Sequence, residues 1–368
     1  MDEITNNSYR PDYAIPPGET LRETLEAICM SQAELAERTG RPKKTINEII
    51  KGTASITADT ALQLERVLGV PASFWNNLER NYQETQARLR DEAQLQKQIE
   101  WLEEFPIQSL VKMGWIPKKE SKVGYLKAVL QFFGIAGMKE WDTLWGGQLV
   151  AYRKSSAFSS KPASVAAWLR KGEVEAQKVD CKPFKEKLFL DALKSIQELT
   201  AKPPEVFEPA MKELCANAGT AVVFIPELPG THLYGATRWL GTTRALIQLS
   251  LRGKSDDHLW FTFFHEAGHI LKHGKKEVFI EAENEGCRDM AGPDKELEAN
   301  RFAQEFLMPK VHYQQFLYEG DFTVSAIRRF ATQMGIAPGI IVGRLQHDKH
   351  IPYSSLNTLK NHFRFQEE

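Results

Sequence analysis

The sequence predicts a mainly α-helical chain with a small β-sheet, an α+β fold divided into three parts. Three observations carry this prediction. Apolar residues recur at helical spacing, between capping residues, through the first part of the chain. Short apolar runs typical of strands occur between residues 221 and 249, and apolar helical stretches follow them. We therefore predict domains at 1–85 and 206–368, joined by a helical middle region at 86–205.

Bulk composition excludes several classes of protein. The 368 residues carry a formal net charge of −1, with 42% hydrophobic and 26% charged residues, as in ordinary globular proteins. A chain of this charge does not bind polyanions along its whole length. It has no leader-like segment and no apolar run of about 18 residues, so we expect a cytoplasmic protein without a membrane partner. Its four cysteines lack C-x-x-C spacing, which argues against disulfides and against a thiolate metal site.

The first part of the chain has the pattern of several short helices. Four helices are predicted between Pro17 and Gly69, and a long fifth helix begins at Phe74. Ser31 before the second helix, with Glu34 three residues later, is typical of a capping box. Gly40 ends that helix, and a helix with polar and basic residues follows at once. A short helix, a tight turn and a second helix of this kind predict a helix-turn-helix.

The helix after this turn carries side chains suited to DNA. Thr45 and Asn47 can form hydrogen bonds with base edges. The alternative is a helix-turn-helix used only for protein contact or dimerisation. The basic side chains that can neutralise phosphates are Arg41, Lys43, Lys44 and Lys51.

The segments Gln32–Gly40 and Thr45–Gly52 resemble the repressor-type, or XRE-type, helix-turn-helix of the HigA antitoxin group. The resemblance covers about residues 16–85 and implies a five-helix, lambda-repressor-like domain that binds double-stranded operator DNA. It also implies that Gln32 and the segment Lys43–Asn47 face the DNA. Because repressor-type domains usually bind palindromic sites as dimers, we expect a homodimer.

A metal-binding pattern, His265-Glu266-x-x-His269, lies within an apolar helical stretch. Residues four apart lie on the same face of a helix, so both imidazoles can reach one ion, at about 2.0–2.1 Å for zinc. Glu266 lies about 100° around the helix, beside the ion, where it can act as a general base. The alternative is a pair of surface histidines, which the apolar neighbours disfavour.

A third ligand is expected on a helix predicted at residues 295–307. Glu296 projects from the apolar face of this helix near its start, and Glu298 is the alternative. Asn300, one turn after Glu296, is expected either to orient Glu296 or to form a hydrogen bond with His265 or His269. His273 lies one turn past the second histidine. We interpret it as a helix C-terminal residue, because turns are about 5.4 Å apart and one ion cannot reach three of them.

The H-E-x-x-H run and the segment Glu296–Pro309 resemble the ImmA/IrrE family of metallopeptidases, over about residues 221–309. Those peptidases are similar to the gluzincins, in which a glutamate on a second helix completes a His-His-Glu zinc site. The resemblance implies a gluzincin-like domain with His265, His269 and Glu296 as zinc ligands and Glu266 as the base. The family cleaves or inactivates transcriptional repressors, often in stress responses and mobile-element control.

The strands before the H-E-x-x-H helix are predicted at 221–225, 233–240 and 245–249. We expect the segment Tyr234–Trp239 to be an edge strand that holds substrate as an added strand, with an ordinary edge strand as the alternative. The acidic segment 277–293 is predicted to be a solvated loop, or else a flap beside the cleft. Weak candidates for stabilising an oxyanion are His232, Tyr234 and Arg238.

Two functions are consistent with these patterns. The first is a zinc-dependent endopeptidase coupled to sequence-specific DNA binding, which cleaves a repressor, antitoxin or phage-related protein in a stress, toxin–antitoxin or phage-defence setting. The alternative is an antitoxin-type transcriptional regulator whose metal domain senses or binds without proteolysis. A metal-dependent scaffold is a third possibility. The middle region, 86–205, is a spacer, a ligand sensor or a dimerisation unit.

Overall fold

The computed structural model describes residues 13–154, 162–275, 277–282 and 293–366. It divides into two compact units. The first comprises the described residues up to Trp101 together with Ser121–Leu126, and the second comprises Leu102–Glu120 and the described residues from Lys127 onward. The boundaries near residues 85 and 205 remain predictions. No helix within the described ranges is both long enough and apolar enough to cross a membrane.

The first unit is built from short helices and one long helix, as predicted. Ile46 and Ile49 point into its core, and Trp75 closes the core from the long helix. The helices are α1 (Pro17–Ala27), α2 (Gln32–Thr39), α3 (Lys43–Ile50), α4 (Ala58–Leu68) and α5 (Ala72–Gln96).

The predicted helix-turn-helix is formed by α2 and α3. The Ser31 hydroxyl accepts a hydrogen bond from the Glu34 backbone N–H at 3.1 Å and so caps α2. Only this half of the predicted capping box forms, because the Glu34 carboxylate accepts hydrogen bonds from Arg38 instead. The left-handed residue Gly40 ends α2, and α3 begins three residues later.

A run of helices connects the first unit to the sheet of the second. An aromatic core holds part of it together: the ring centroids of Phe133 and Trp141 are 4.4 Å apart, and Phe105 and Trp145 pack against them. After a 3-10 helix (Ile99–Glu104), the helices are α6 (Ile107–Lys112), α7 (Lys122–Phe133), α8 (Met138–Lys154), α9 (Pro162–Gln177), α10 (Glu186–Leu199) and α11 (Pro204–Asn217).

A four-stranded mixed sheet forms the middle layer of the second unit, in the order β1-β3-β2-β4. β1 and β3 are parallel, whereas β2 is antiparallel to both β3 and β4. The three predicted strands are confirmed. Their bounds, with those of a fourth strand, are β1 (Thr220–Phe224), β2 (Leu233–Trp239), β3 (Ala245–Leu249) and β4 (Val278–Ala282).

The fourth strand overturns two expectations. Tyr234–Trp239 is not an edge strand, because β4 pairs with β2 on the side away from β3. Residues 278–282 are therefore not loop, although residues 283–292 of the predicted loop lie outside the described residues. Phe279 and Ile280 are buried, so tertiary packing stabilises as a strand a segment whose acidic composition predicts a loop.

Helices cover both faces of the sheet. On one face, the Gln248 amide of β3 donates a hydrogen bond to the Trp168 carbonyl of α9 at 2.7 Å. On the other, the Thr237 hydroxyl of β2 donates to the backbone carbonyl of Glu266 at 3.1 Å. This second face packs against α12 (Asp256–Lys272), which α13 (Pro293–Leu307) contacts in turn. The chain then forms α14 (Lys310–Glu319), α15 (Val324–Met334) and α16 (Pro338–His347).

Candidate metal centre and DNA-binding face

Three predicted ligands converge between α12 and α13. The His265 and His269 Nε2 atoms are 2.9 Å apart. The Glu296 carboxylate lies 3.2 Å from the first nitrogen and 3.5 Å from the second. All three side chains are buried, and among the described residues they form the one group suited to hold a metal ion. Glu298, the alternative third ligand, lies outside this group.

The approach of α13 to α12 depends on Gly268. A Cβ atom at this position would lie 3.1 Å from the Phe302 ring and 3.2 Å from the Ala299 Cα. The missing side chain therefore lets the two helices pack closely at the level of the ligands. The spacing in α12 aligns the two histidines, and the close packing brings Glu296 to them.

The outer nitrogen of each histidine has a hydrogen-bond partner. His265 Nδ1 lies 3.0 Å from Asn300 Oδ1, as predicted for an orienting residue. His269 Nδ1 lies 2.9 Å from His273 Nδ1. When both Nδ1 atoms carry the proton, both Nε2 atoms present lone pairs to each other and to the Glu296 carboxylate.

In that state three hydrogen-bond acceptors face one point, and no hydrogen atom lies between them. A cation at this point would stabilise the arrangement. Tetrahedral zinc at its usual bond lengths requires donor atoms about 3.3 Å apart. The observed separations of 2.9 to 3.5 Å bracket this value. The donor set therefore fits zinc.

Glu266 lies beside this group in a fully buried position. Neither of its carboxylate oxygens accepts a hydrogen bond from the described residues. Gly235 on β2 makes room for it, since a Cβ there would lie 2.9 Å from Glu266 Oε1 and 2.6 Å from Thr262 Cγ2. A buried carboxylate without a partner is costly, so Glu266 is a candidate functional residue.

Acidic side chains surround the two histidines, and burial and these charges shift the pKa values of the site. Burial opposes protonation of His265, but Glu281, Glu296 and Glu266 together raise its pKa to about 9. Burial lowers the pKa of His269 to about 4. Burial opposes ionisation of Glu296, yet its hydrogen bonds with both histidines lower its pKa to about 2. Burial, reinforced by Glu281, raises the pKa of Glu266 well above its usual range.

The predicted DNA-contacting residues lie on and around α3. Lys43 and Lys44 are exposed, and Lys44 lies 3.8 Å from Glu48. Thr45 and Asn47 are half-buried, as is Gln32 at the start of α2. Arg41 is partly engaged elsewhere, because its guanidinium donates a hydrogen bond to the Gln63 side-chain oxygen.

Comparison with known proteins identifies both parts of the chain. Residues 21–75 match the helix-turn-helix family, and residues 217–345 match the IrrE N-terminal-like domain. The chain carries a helix-turn-helix domain followed by an IrrE N-terminal-like domain.

Two known proteins are similar to a part of the chain. Virulence-associated protein I of Dichelobacter nodosus is 43% identical over 70 residues, which are 19% of this chain and 65% of that protein. The chain thus spans just under two thirds of the length of this relative. A solved addiction module antidote protein of a HigA family from Coxiella burnetii is 36% identical. It covers 23% of this chain and 92% of its own, with a TM-score of 0.22.

The sequence alone did not reveal two residues of the IrrE N-terminal-like domain that lie near its metal centre. Glu281 pairs with Gly235 across β4 and β2, which places it near Glu266. His273 contacts His269 rather than solvent. The short run of strand-favouring residues Val278, Phe279 and Ile280 is the signal that could have shown the strand, with its acidic residue directly after them.

The prediction that Arg238 could stabilise an oxyanion is wrong. Its guanidinium lies 2.7 Å from Glu173 on α9, so the side chain occupies the face of the sheet opposite Glu266. Tyr234 stacks on His258, with ring centroids 5.7 Å apart. Tyr234 and His232 remain predictions.

A cavity of about 130 Å³ lies between α12, α13 and α16 of the IrrE N-terminal-like domain. Phe261, four residues before His265, forms part of its wall, so the cavity begins about 6 Å along the helix axis from the ligand. A cavity of about 150 Å³ accommodates benzene, so this one has room for one apolar side chain. Its other lining residues include Gln304, Leu307, Met308, Ile340 and Arg344.

Proposed function

We propose that the chain is a zinc-dependent endopeptidase coupled to a sequence-specific DNA-binding domain. The observation that carries this proposal is the convergence of His265, His269 and Glu296 beside a buried carboxylate that has no hydrogen-bond partner among the described residues. A purely structural metal site would bind zinc with four protein ligands. Within the described residues this group offers three, which is the number typical of a catalytic site.

Glu266 is the general base of the proposed reaction. Zinc, when bound, acts as a Lewis acid that polarises the scissile carbonyl and makes water more acidic. A carboxylate oxygen of Glu266 takes the proton from the attacking water and then delivers it to the leaving amine nitrogen. None of the described residues donates a hydrogen bond to it, which supports this role because both oxygens remain available to exchange the proton.

The substrate in this proposal is an extended peptide that pairs with β4. With β2 in the interior of the sheet, β4 is the edge strand on the side of the metal centre. Backbone hydrogen bonds to an edge strand hold a peptide in a defined register. The cavity beside Phe261 would then receive an aliphatic or aromatic side chain adjacent to the bond that is cut.

DNA binding is assigned to α3. Its exposed lysines contact phosphates, whereas Thr45 and Asn47 contact base edges. We propose that the substrate is a protein that acts near the same operator, such as a repressor, an antitoxin or a phage-related protein. A homodimer on a palindromic operator fits this arrangement.

The experiment that tests this function compares the wild type with Glu266→Gln, both loaded with zinc. Proteomics of cells producing each protein should show new protein termini that the variant lacks, while zinc content stays equal. Glu305→Gln, an exposed carboxylate on α13, is the matched control and should cleave like the wild type.

Two outcomes would contradict the proposal. Equal cleavage by Glu266→Gln would show that this residue is not the base. If the wild type binds zinc and operator DNA but produces no new protein termini in cells, the alternative function is favoured. The chain would then be a transcriptional regulator whose metal domain only senses or binds.

A further inference from the structure

We propose that His273 and Glu298 form a hydrogen-bonded chain behind His269 that sets its tautomer and orientation for metal binding. Both are positioning residues in this proposal, since they act through His269. The inference rests on the metal site of the proposed function. It does not require that the site perform proteolysis.

The chain of contacts leads from the surface to the metal centre. Glu298 Oε2 lies 3.2 Å from His273 Nε2, and His273 Nδ1 lies 2.9 Å from His269 Nδ1. The exposed fraction is 60% for the Glu298 side chain and 3% for that of His273. A solvated carboxylate therefore begins a chain whose middle member is buried.

The chemistry of these groups fixes the direction of every hydrogen bond. An ionised carboxylate only accepts, so when His273 is neutral its proton lies on Nε2. His273 Nδ1 is then an acceptor, and the proton of His269 must lie on Nδ1. His269 Nε2, the atom that faces His265 and Glu296, is left with its lone pair directed at the site of the ion.

The ring of His269 is also held from the side. Phe279 on β4 stacks on it, with centroids 4.1 Å apart and planes within 17°, and lies 5.2 Å from the His273 ring. The aromatic ring covers the hydrogen bond between the two histidines. His269 thus resembles His265, whose Nδ1 contacts the Asn300 carbonyl oxygen, but its partner is a second imidazole supported by a carboxylate.

A helix C-terminal residue has no need of this geometry. The His273 backbone N–H already donates to the His269 carbonyl at 3.1 Å and completes the last turn of α12. A side chain favoured only by the helix dipole would point into solvent. Instead the imidazole is buried beneath Phe279 and lies between two specific partners.

The test is zinc affinity, measured on the full chain by competition with a chelator and without any substrate. Loss of an outer partner of a metal-bound histidine typically costs about 10- to 100-fold in affinity. We expect a loss in this range for His273→Ala. Glu298→Ala should lose less, because His273 remains in place, and His273→Gln should restore part of the affinity through its carbonyl oxygen. His312→Ala and Glu305→Ala, at exposed positions, are the matched controls.

A second measurement reads the tautomer directly. Nitrogen-15 NMR of the metal-free wild type should show His269 protonated at Nδ1, and Glu298→Ala should shift this population toward Nε2. Glu298 is exposed, so we expect Glu298→Ala to fold. This variant therefore tests the proposal even if His273→Ala fails to fold. The proposal would be overturned if Glu298→Ala and His273→Gln both left the zinc affinity and the His269 tautomer unchanged. Absence of proteolysis in the wild type would count against the proposed function alone.

Discussion

The candidate metal centre and the proposed DNA-binding face use polar side chains in opposite ways. At the metal centre the side chains are buried, and neighbouring groups fix each one before any ligand arrives. On α3 the lysines are exposed, and in the proposed function DNA sets their positions. Burial removes conformational freedom in advance, so single atoms matter at the metal centre. On α3 total charge matters more, and individual side chains are partly interchangeable.

The largest effect should follow removal of a ligand. His269→Ala leaves two of three donors, and we expect zinc affinity to fall by more than about 100-fold, beyond the effect of losing an outer partner. Metal analysis after dialysis against a weak chelator measures this. His312→Ala controls for loss of an exposed histidine. Zinc retained at wild-type affinity would mean that the buried group is not the binding site.

The addition of one methyl group at Gly235 should lower both the stability of the protein and its rate of cleavage. Gly235→Ala places Cβ against Thr262 and Glu266, so we expect the free energy of unfolding to fall by about 1–3 kcal/mol and cleavage to slow. Urea unfolding and initial rates measure the two effects. In the control, Gly146→Ala in α8, the new Cβ meets no atom within 4 Å, so stability should stay equal or rise slightly. Equal stability of both variants would show that Glu266 has more room than the geometry indicates.

The same contrast explains how much the sequence could predict. The spacing of His265 and His269 follows from helix geometry alone, and the apolar stripe of α13 selects Glu296 over Glu298. The α2–turn–α3 element is likewise encoded by local caps and turn residues. These features depend on neighbours within a few positions of the chain.

The features that the sequence failed to predict depend on distant contacts. β4 exists because it pairs with β2 and buries Phe279, although acidic residues around it are typical of a loop. Its presence moves β2 from the edge to the interior and brings Glu281 toward Glu266. The role of His273 depends in the same way on Phe279 and Glu298, which lie in other elements. Pairing partners of this kind are not visible in a local pattern.

On α3, the strongest single effect is expected at a base-contacting residue. Asn47→Ala removes a side chain able to form two hydrogen bonds with adenine, which is worth about 1–3 kcal/mol of discrimination. Fluorescence anisotropy with operator and unrelated DNA should show weaker operator binding and little change on unrelated DNA. Asn76→Ala, at an exposed position of α5, is the control. An equal loss on both DNAs would assign Asn47 to the backbone instead.

The smallest effect should come from a single phosphate contact. Lys43→Ala should weaken binding to all sequences alike and reduce the slope of log affinity against log salt by about 1. Lys44→Ala should change the slope less, because Glu48 lies 3.8 Å from its ammonium group and already offsets part of its charge. Titrations at several salt concentrations measure both slopes, with Lys97→Ala as the exposed control. Lys43→Ala could instead alter the preference among DNA sequences and leave the salt slope unchanged. Lys43 would then contact bases, and a single side chain of α3 would matter as much as one at the metal centre.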